Sequence, residues 1–268
     1  MWFRAPDPAK VGLRRPRIKH GDYTLKYAFR GALKAVVSGG RFAGPYAFYG
    51  AKQPRVSGGE FTADLCFFAS EGAVVEGGRF LGKSAFMGAQ EPQVQGGEFV
   101  GPWALAESRG AVVQGGVFRG DQALAEANRA RIAAGEFHGA ETGRLSQGTL
   151  ITGGVFHGPG FLTASRGAVV LGGEIRGEGA LAGAEEVRVL LAGELPELAA
   201  PVSGVIAVRR IGRLSLPDGC PPGLTILAEE VGEGAEHACI LPAGRIPDPA
   251  GDPAAALEAL ELLAGERG

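Results

Sequence analysis

Glycine returns every nineteen residues through most of this chain. Gly21, Gly40, Gly59, Gly78, Gly97, Gly116, Gly135, Gly154 and Gly173 keep that spacing unbroken, and after one inserted residue it resumes at Gly193 and Gly212. Two places after each glycine stands an aromatic or aliphatic residue: Tyr23, Phe42, Phe61, Phe80, Phe99, Phe118, Phe137, Phe156, Ile175, Leu195 and Leu214. A unit that recurs in this way builds a solenoid, because each copy buries its apolar face only against its neighbours. Helical repeats need roughly thirty or more residues for two helices. Three short apolar segments separated by glycine suit strands instead.

With the glycine as position zero, each unit predicts one turn of a parallel β-helix. The expected fold is all-β: a right-handed, single-stranded parallel β-helix, the hand following from the general handedness of parallel crossovers. Coils stacking at about 4.8 Å make eleven units a rod on the order of 50 Å long. Strand parity predicts three buried columns. Position two carries the Phe series. Position eight carries Phe29, Phe48, Phe67, Phe86, Leu105, Leu124, Leu162 and Leu181, interrupted by Gly143, and position sixteen runs from Val37 through Ile132 to Val189. Gly-Gly pairs such as Gly58-Gly59 read as corners, where glycine enters positive φ without a Cβ penalty. Ala134 replaces the first glycine once.

The predicted organisation is a leader over 1–20, a β-helix over 21–216 and a cap over 217–268. Asp252, Pro253, Leu257, Leu260 and Leu263 predict one amphipathic helix over about 253–264. Such a helix needs an apolar seat. Leu150, Val169, Leu171 and Leu190 occupy positions expected to face outward, so the helix is expected to dock there or over the rod's end. The rival use of that strip is a homodimer interface.

Charge and composition exclude several classes. A net charge of −2 argues against nucleic acid or an anionic membrane as partner. The first residues show no apolar run like a secretory leader and nothing later is long enough to span a bilayer, so the cytoplasm is the expected compartment. Cys66, Cys220 and Cys239 are too few for a disulfide framework. Cys66 fills a slot that is usually alanine, which predicts a small buried thiol. No cofactor motif is present.

The units at Gly40 and Gly78, two coils apart, share Gly-Arg-Phe-x-Gly-x-x-Ala-Phe, and the units at Gly59 and Gly97 both open Gly-Glu-Phe. A duplicated thirty-eight-residue ancestor is the simplest source. It also lays out an outward charge ladder of Arg41, Glu60, Arg79 and Glu98. The chain resembles a bacterial β-helix family known as domain of unknown function 3737, through Phe80-Leu81-Gly82-Lys83-Ser84-Ala85-Phe86 and Phe99-Val100-Gly101-Pro102-Trp103-Ala104-Leu105. The stretch from Ile206 to Leu214 is similar to that family's exit from the solenoid. This resemblance spans residues 21 to 218 and implies a fold and no activity.

Two surface strips are candidates for function. From the sixth coil onward positions one and three collect Arg119, Glu136, His138, His157, Glu174 and Arg176. His138 and His157 share a place in adjacent coils, and Glu136 and Glu174 lie two coils apart, roughly 9.6 Å. That approaches the carboxylate separation of inverting glycosidases, about 6.5 to 9.5 Å. Glu136 and Glu174 with His138 or His157 would then act on carbohydrate, while the His pair with a flanking Glu would alternatively hold a divalent transition metal. Against catalysis, pectin lyase-like enzymes on this fold are generally Asp-rich on one face, and here Asp64 and Asp121 share a position three coils apart. The second strip is aromatic: Tyr27, Tyr46 and Trp103 at position six, with Tyr49, Phe68 and Met87 at position nine. Aromatic faces stack on sugars or dock proteins, or they pack beneath the leader. The reading these residues favour is a non-catalytic structural or binding scaffold for a glycan or protein, as monomer or homodimer. A carbohydrate-active enzyme and a polymer-forming rod are the alternatives.

Overall fold

The structure is a computed structural model that describes residues 12–216, 221–233, 240–242, 246 and 253–265. It is an all-β solenoid of about eleven parallel turns with one short C-terminal helix. Each repeat contributes strand around positions fifteen–sixteen and one–two. In some coils these fuse into seven-residue strands, as in Val36–Phe42 and Val112–Phe118; in others they stay separate, as in Val74–Val75 and Arg79–Phe80. Partners lie nineteen residues apart, so Val37 faces Val56, and Phe118 faces Phe137. A third line of parallel bridges runs along position twelve, through Leu33, Lys52, Glu71 and Gln90.

The three expected columns lie in the core, beside buried alanines such as Ala32, Ala35 and Ala51. Phe rings at position two stack nearly flat on one another, with centroids 4.6 to 4.8 Å apart from Phe42 to Phe156. Phe29, Phe48, Phe67 and Phe86 form a second stack that meets the first edge-on, the arrangement the ring quadrupole favours between columns. Within a column the coil spacing imposes face-to-face stacking. The Val/Ile column at position sixteen is fully buried.

Simple strand parity fails between positions five and ten. Ala47 and Phe48 are consecutive, yet both are buried, as are Ala104 and Leu105. The backbone there enters the left-handed region at residues other than glycine, including Tyr46, Trp103 and Leu105 with φ of 58°, 60° and 60°. Such turns bring successive side chains to the same side.

The two glycines of a corner also differ. Gly59 has φ +107°, the reason expected for both, whereas no left-handed φ is found at Gly58. A Cβ on Gly58 would lie 2.7 Å from the Ser38 carbonyl oxygen of the coil beneath. Close stacking therefore excludes a side chain there. Gly139 obeys the same constraint, since its Cβ would lie 2.1 Å from the Gly120 oxygen.

Parallel pairing extends outside 21–216. Arg17–Ile18 pairs with Val36–Phe42, and Leu224–Glu233 continues the sheet beyond Gly204–Ser215, followed by Ile240–Pro242. The late register departs from the nineteen-residue reading. Leu195 pairs with Ile211 and Leu198 with Leu214, so Gly193 and Gly212 are not equivalent places. The reason is local: Val187–Ala199 and Gly204–Ser215 stay strand for thirteen and twelve residues, and their register shifts between Leu191 and Glu194.

Helix α1, Pro253–Gly265, lies along these long strands. Leu257 and Leu260 meet Leu171, Leu190, Ala207, Leu227 and Ile246, with Leu150 and Val169 at the edge. This is the lateral seat expected from the sequence, and it leaves that strip covered by the chain's own helix. The Glu261 carboxylate lies 3.9 Å from the Arg188 guanidinium. Asp252, Cys220, Cys239 and the Leu263 side chain fall outside the described residues, as do residues 1–11 of the leader.

Candidate functional site

The strand that buries Phe118, Phe137, Phe156 and Ile175 holds Arg119, His138, His157 and Arg176 in one outward column. Backbone pairing aligns Glu136 with Val155 and Val155 with Glu174, so the carboxylates sit in alternate coils of the neighbouring column. His138 and His157 stack with ring centroids 4.4 Å apart and planes 4° from parallel. The Nε2 of His138 is 3.3 Å from the Glu136 carboxylate. Glu136, His138 and His157 each present a ligand atom within 4.8 Å of the others.

The two carboxylates are not equivalent. Glu174 accepts two hydrogen bonds from Arg176, Nε at 2.7 Å and Nη2 at 2.9 Å. That bidentate fork holds its pKa below the ordinary carboxylate value. Arg119 is engaged as well, donating to Glu98 at 2.9 Å, and Arg79 donates to the other oxygen of the same carboxylate. Glu98 is held ionised by both guanidinium groups. The Arg–Glu pairs of the strip are thus satisfied, and Glu136 is left beside the imidazoles.

The aromatic strip is also assembled. Tyr27, Tyr46, Tyr49 and Phe68 form one half-buried ring cluster, with Tyr49 stacked on Phe68 at 5.7 Å and Tyr27 against Tyr46 at 5.3 Å. Lys26 and Arg30 approach the Tyr27 face at 4.9 and 5.6 Å. Trp103 stands apart from that cluster and is 41% exposed. Its indole N–H donates to the Gln122 side-chain oxygen, and Gln122 in turn donates to Glu141, which faces Arg144 at 3.7 Å.

Beside Trp103 lies a concavity of about 300 Å³, lined by Ser84, Met87, Glu107, Gln122 and Glu126 over a floor of Ala106 and Ala125. Its origin is a change in the position-nine column: Tyr49, Phe68 and Met87 give way to Ala106 and Ala125, and the surface steps down where the side chains shrink. Glu107, Gln122, Glu126 and the two alanines were not among the residues expected from sequence. That loss of bulk is the signal that points to them.

Asp64 and Asp121 have a structural task. Each accepts the backbone N–H of the residue one coil later, Lys83 and Ala140, both at 2.8 Å. Cys66 is buried; burial, then the nearby Asp64 charge, push its thiol up to about 12. Among the described residues no helix is long and apolar enough to cross a membrane.

Comparisons with known protein families, with curated proteins and with solved structures find no match to this chain.

Proposed function

We propose that this protein is a non-catalytic binding scaffold whose aromatic face holds a glycan. The observation that carries the reading is the Trp103 concavity. An exposed indole with its N–H already held by Gln122 offers an apolar face, and Glu107, Glu126 and Gln122 stand around it as hydrogen-bonding groups. A platform ring with a few polar groups at its margin is how sugars are held. The Tyr27–Phe68 cluster extends aromatic surface along the earlier coils.

Glu174 is poorly suited to be the acid of a glycosidase pair. A general acid for glycoside cleavage needs a raised pKa, and the Arg176 fork moves Glu174 the other way. The resemblance to domain of unknown function 3737 implies the coil and no chemistry, so the surface alone bears the argument. A monomer is the proposed state, because α1 occupies the apolar strip. The cytoplasm is the proposed compartment, in keeping with the free, buried thiol of Cys66.

Binding of the purified protein to an immobilised glycan panel tests this. Trp103→Ala should weaken any ligand by about tenfold or more, the equivalent of roughly 1.4 kcal/mol. A wild-type protein that retains no glycan, or a Trp103→Ala variant that binds as wild type, would overturn the proposal.

A further inference from the structure

We infer that Glu136, His138 and His157 form a surface site for one divalent transition metal ion of the zinc class. The inference goes beyond the glycan reading and uses other positions of the coil, one and three in place of six, nine and ten. Two of the chain's four histidines stand in adjacent coils. Elsewhere that column carries Thr24, Ala43, Thr62, Leu81, Val100, Arg119 and Arg176, so the pair is not copied from the repeat.

The donor set suits such an ion. Imidazole nitrogen and carboxylate oxygen are its ordinary ligands, with bonds of about 2.0 to 2.2 Å. Two nitrogens on one tetrahedral ion are then about 3.4 Å apart. The three ligand atoms now lie within 4.8 Å of one another, and the rings stack at 4.4 Å. Closing the set takes about an ångström of inward movement. It also requires the rings to turn out of parallel so that both lone pairs converge.

Both motions belong to side chains on the outer face, where the His138 side chain is 34% and that of Glu136 57% exposed. Their backbones are held in parallel register by the buried Phe137 and Phe156 beside them. The rigid coil sets the spacing, and only side-chain torsions adjust. Availability of the carboxylate decides the third ligand: Arg176 occupies Glu174 and Arg119 is engaged by Glu98. Glu136, already 3.3 Å from His138, is free to turn to a metal.

Calorimetric titration of chelator-treated full-length protein with Zn²⁺ tests the site, read beside the imidazole NMR signals. The expected result is one ion per chain, with the signals of His138 and His157 shifting together. His157→Ala and Glu136→Gln should each weaken binding at least about tenfold, since even changes to groups behind the ligands cost that much. His20→Ala should change nothing. Absence of binding at one equivalent, equal affinity in His157→Ala, or loss in His20→Ala would overturn the site. Circular dichroism of each variant confirms that the coil persists. The glycan proposal is untouched by any of these outcomes, because Trp103 is unaltered.

Discussion

Replacing Phe118 by alanine removes one ring from the middle of the longest stack. Phe118 is 1% exposed and lies between Phe99 at 4.6 Å and Phe137 at 4.7 Å, all three nearly parallel. Truncating a buried Phe to Ala costs about 3 to 5 kcal/mol, and the cost rises as the site fails to collapse. Collapse is poor here. Phe99, Phe118 and Phe137 are consecutive rungs of one parallel ladder, so their backbones hold the neighbouring rings a full coil away. Two stacked contacts, each worth about 0.5 to 1.5 kcal/mol, are lost with no replacement. The expected loss is therefore in the upper half of the range, about 4 to 5 kcal/mol. Urea unfolding followed by circular dichroism measures it. Because solenoid repeats touch only their neighbours, hydrogen exchange should quicken first in the coils over 99–137. The control is Arg119→Ala on the outer face, where an exposed ion pair is worth about 0 to 1 kcal/mol. A loss below about 1 kcal/mol in Phe118→Ala would show that position two is not the core and that the coil register is wrong.

Three further outcomes are expected. Leu260→Asp should release α1, since fully burying a leucine is worth about 1.5 to 3 kcal/mol; limited proteolysis should clip the C-terminal segment while the β signal of the rod persists, and an unchanged digestion pattern would refute the docking. Cys66, with its thiol pushed up to about 12, should resist alkylation at pH 8 until denaturant is added; peptide mapping that finds it labelled in the native state would refute its burial. Glu197 accepts hydrogen bonds from Arg213, Ser215 and the Gly179 N–H, which together hold its carboxyl below the ordinary value. Its contribution is complete above the unfolded pKa of about 4.3 and lost as pH falls through the lower folded value. The melting-temperature gap between wild type and Glu197→Gln should be widest above about pH 5 and narrow in acid; a gap independent of pH would contradict this.

Glutamates that look alike in sequence carry different loads. Glu136 and Glu174 occupy the same position two coils apart, yet one lies beside an imidazole and the other is clamped by Arg176. Sequence spacing identifies such a pair as neighbours in the stack. It does not identify which guanidinium each carboxylate takes, because that depends on side-chain reach across and along the coils. Asp64 and Asp121 illustrate the same limit: a shared position three coils apart does not show what the carboxylates hold, and each in fact accepts a backbone N–H of the next coil. The Trp103 concavity was half visible. Trp103 and Met87 stand out in the repeat by size, but the floor of Ala106 and Ala125 acquires meaning only once consecutive coils are known to lie side by side.

The nineteen-residue period determined by itself that the chain is a stack of parallel coils, that Phe118 and its equivalents are buried, and that His138 lies against His157. Those are consequences of repetition: equal spacing puts equal residues in register, and a strand has two faces. Tertiary structure alone decided how each coil turns its corners. Left-handed backbone at Tyr46, Trp103 and Leu105 brings consecutive residues to one side, and no residue type there announces it. Contacts between distant parts of the chain were likewise decided in three dimensions. Long strands replaced turns after Val187, and of the two seats the sequence offers α1, the side of the rod or its end, the assembled surface took the side at Leu171 and Leu190.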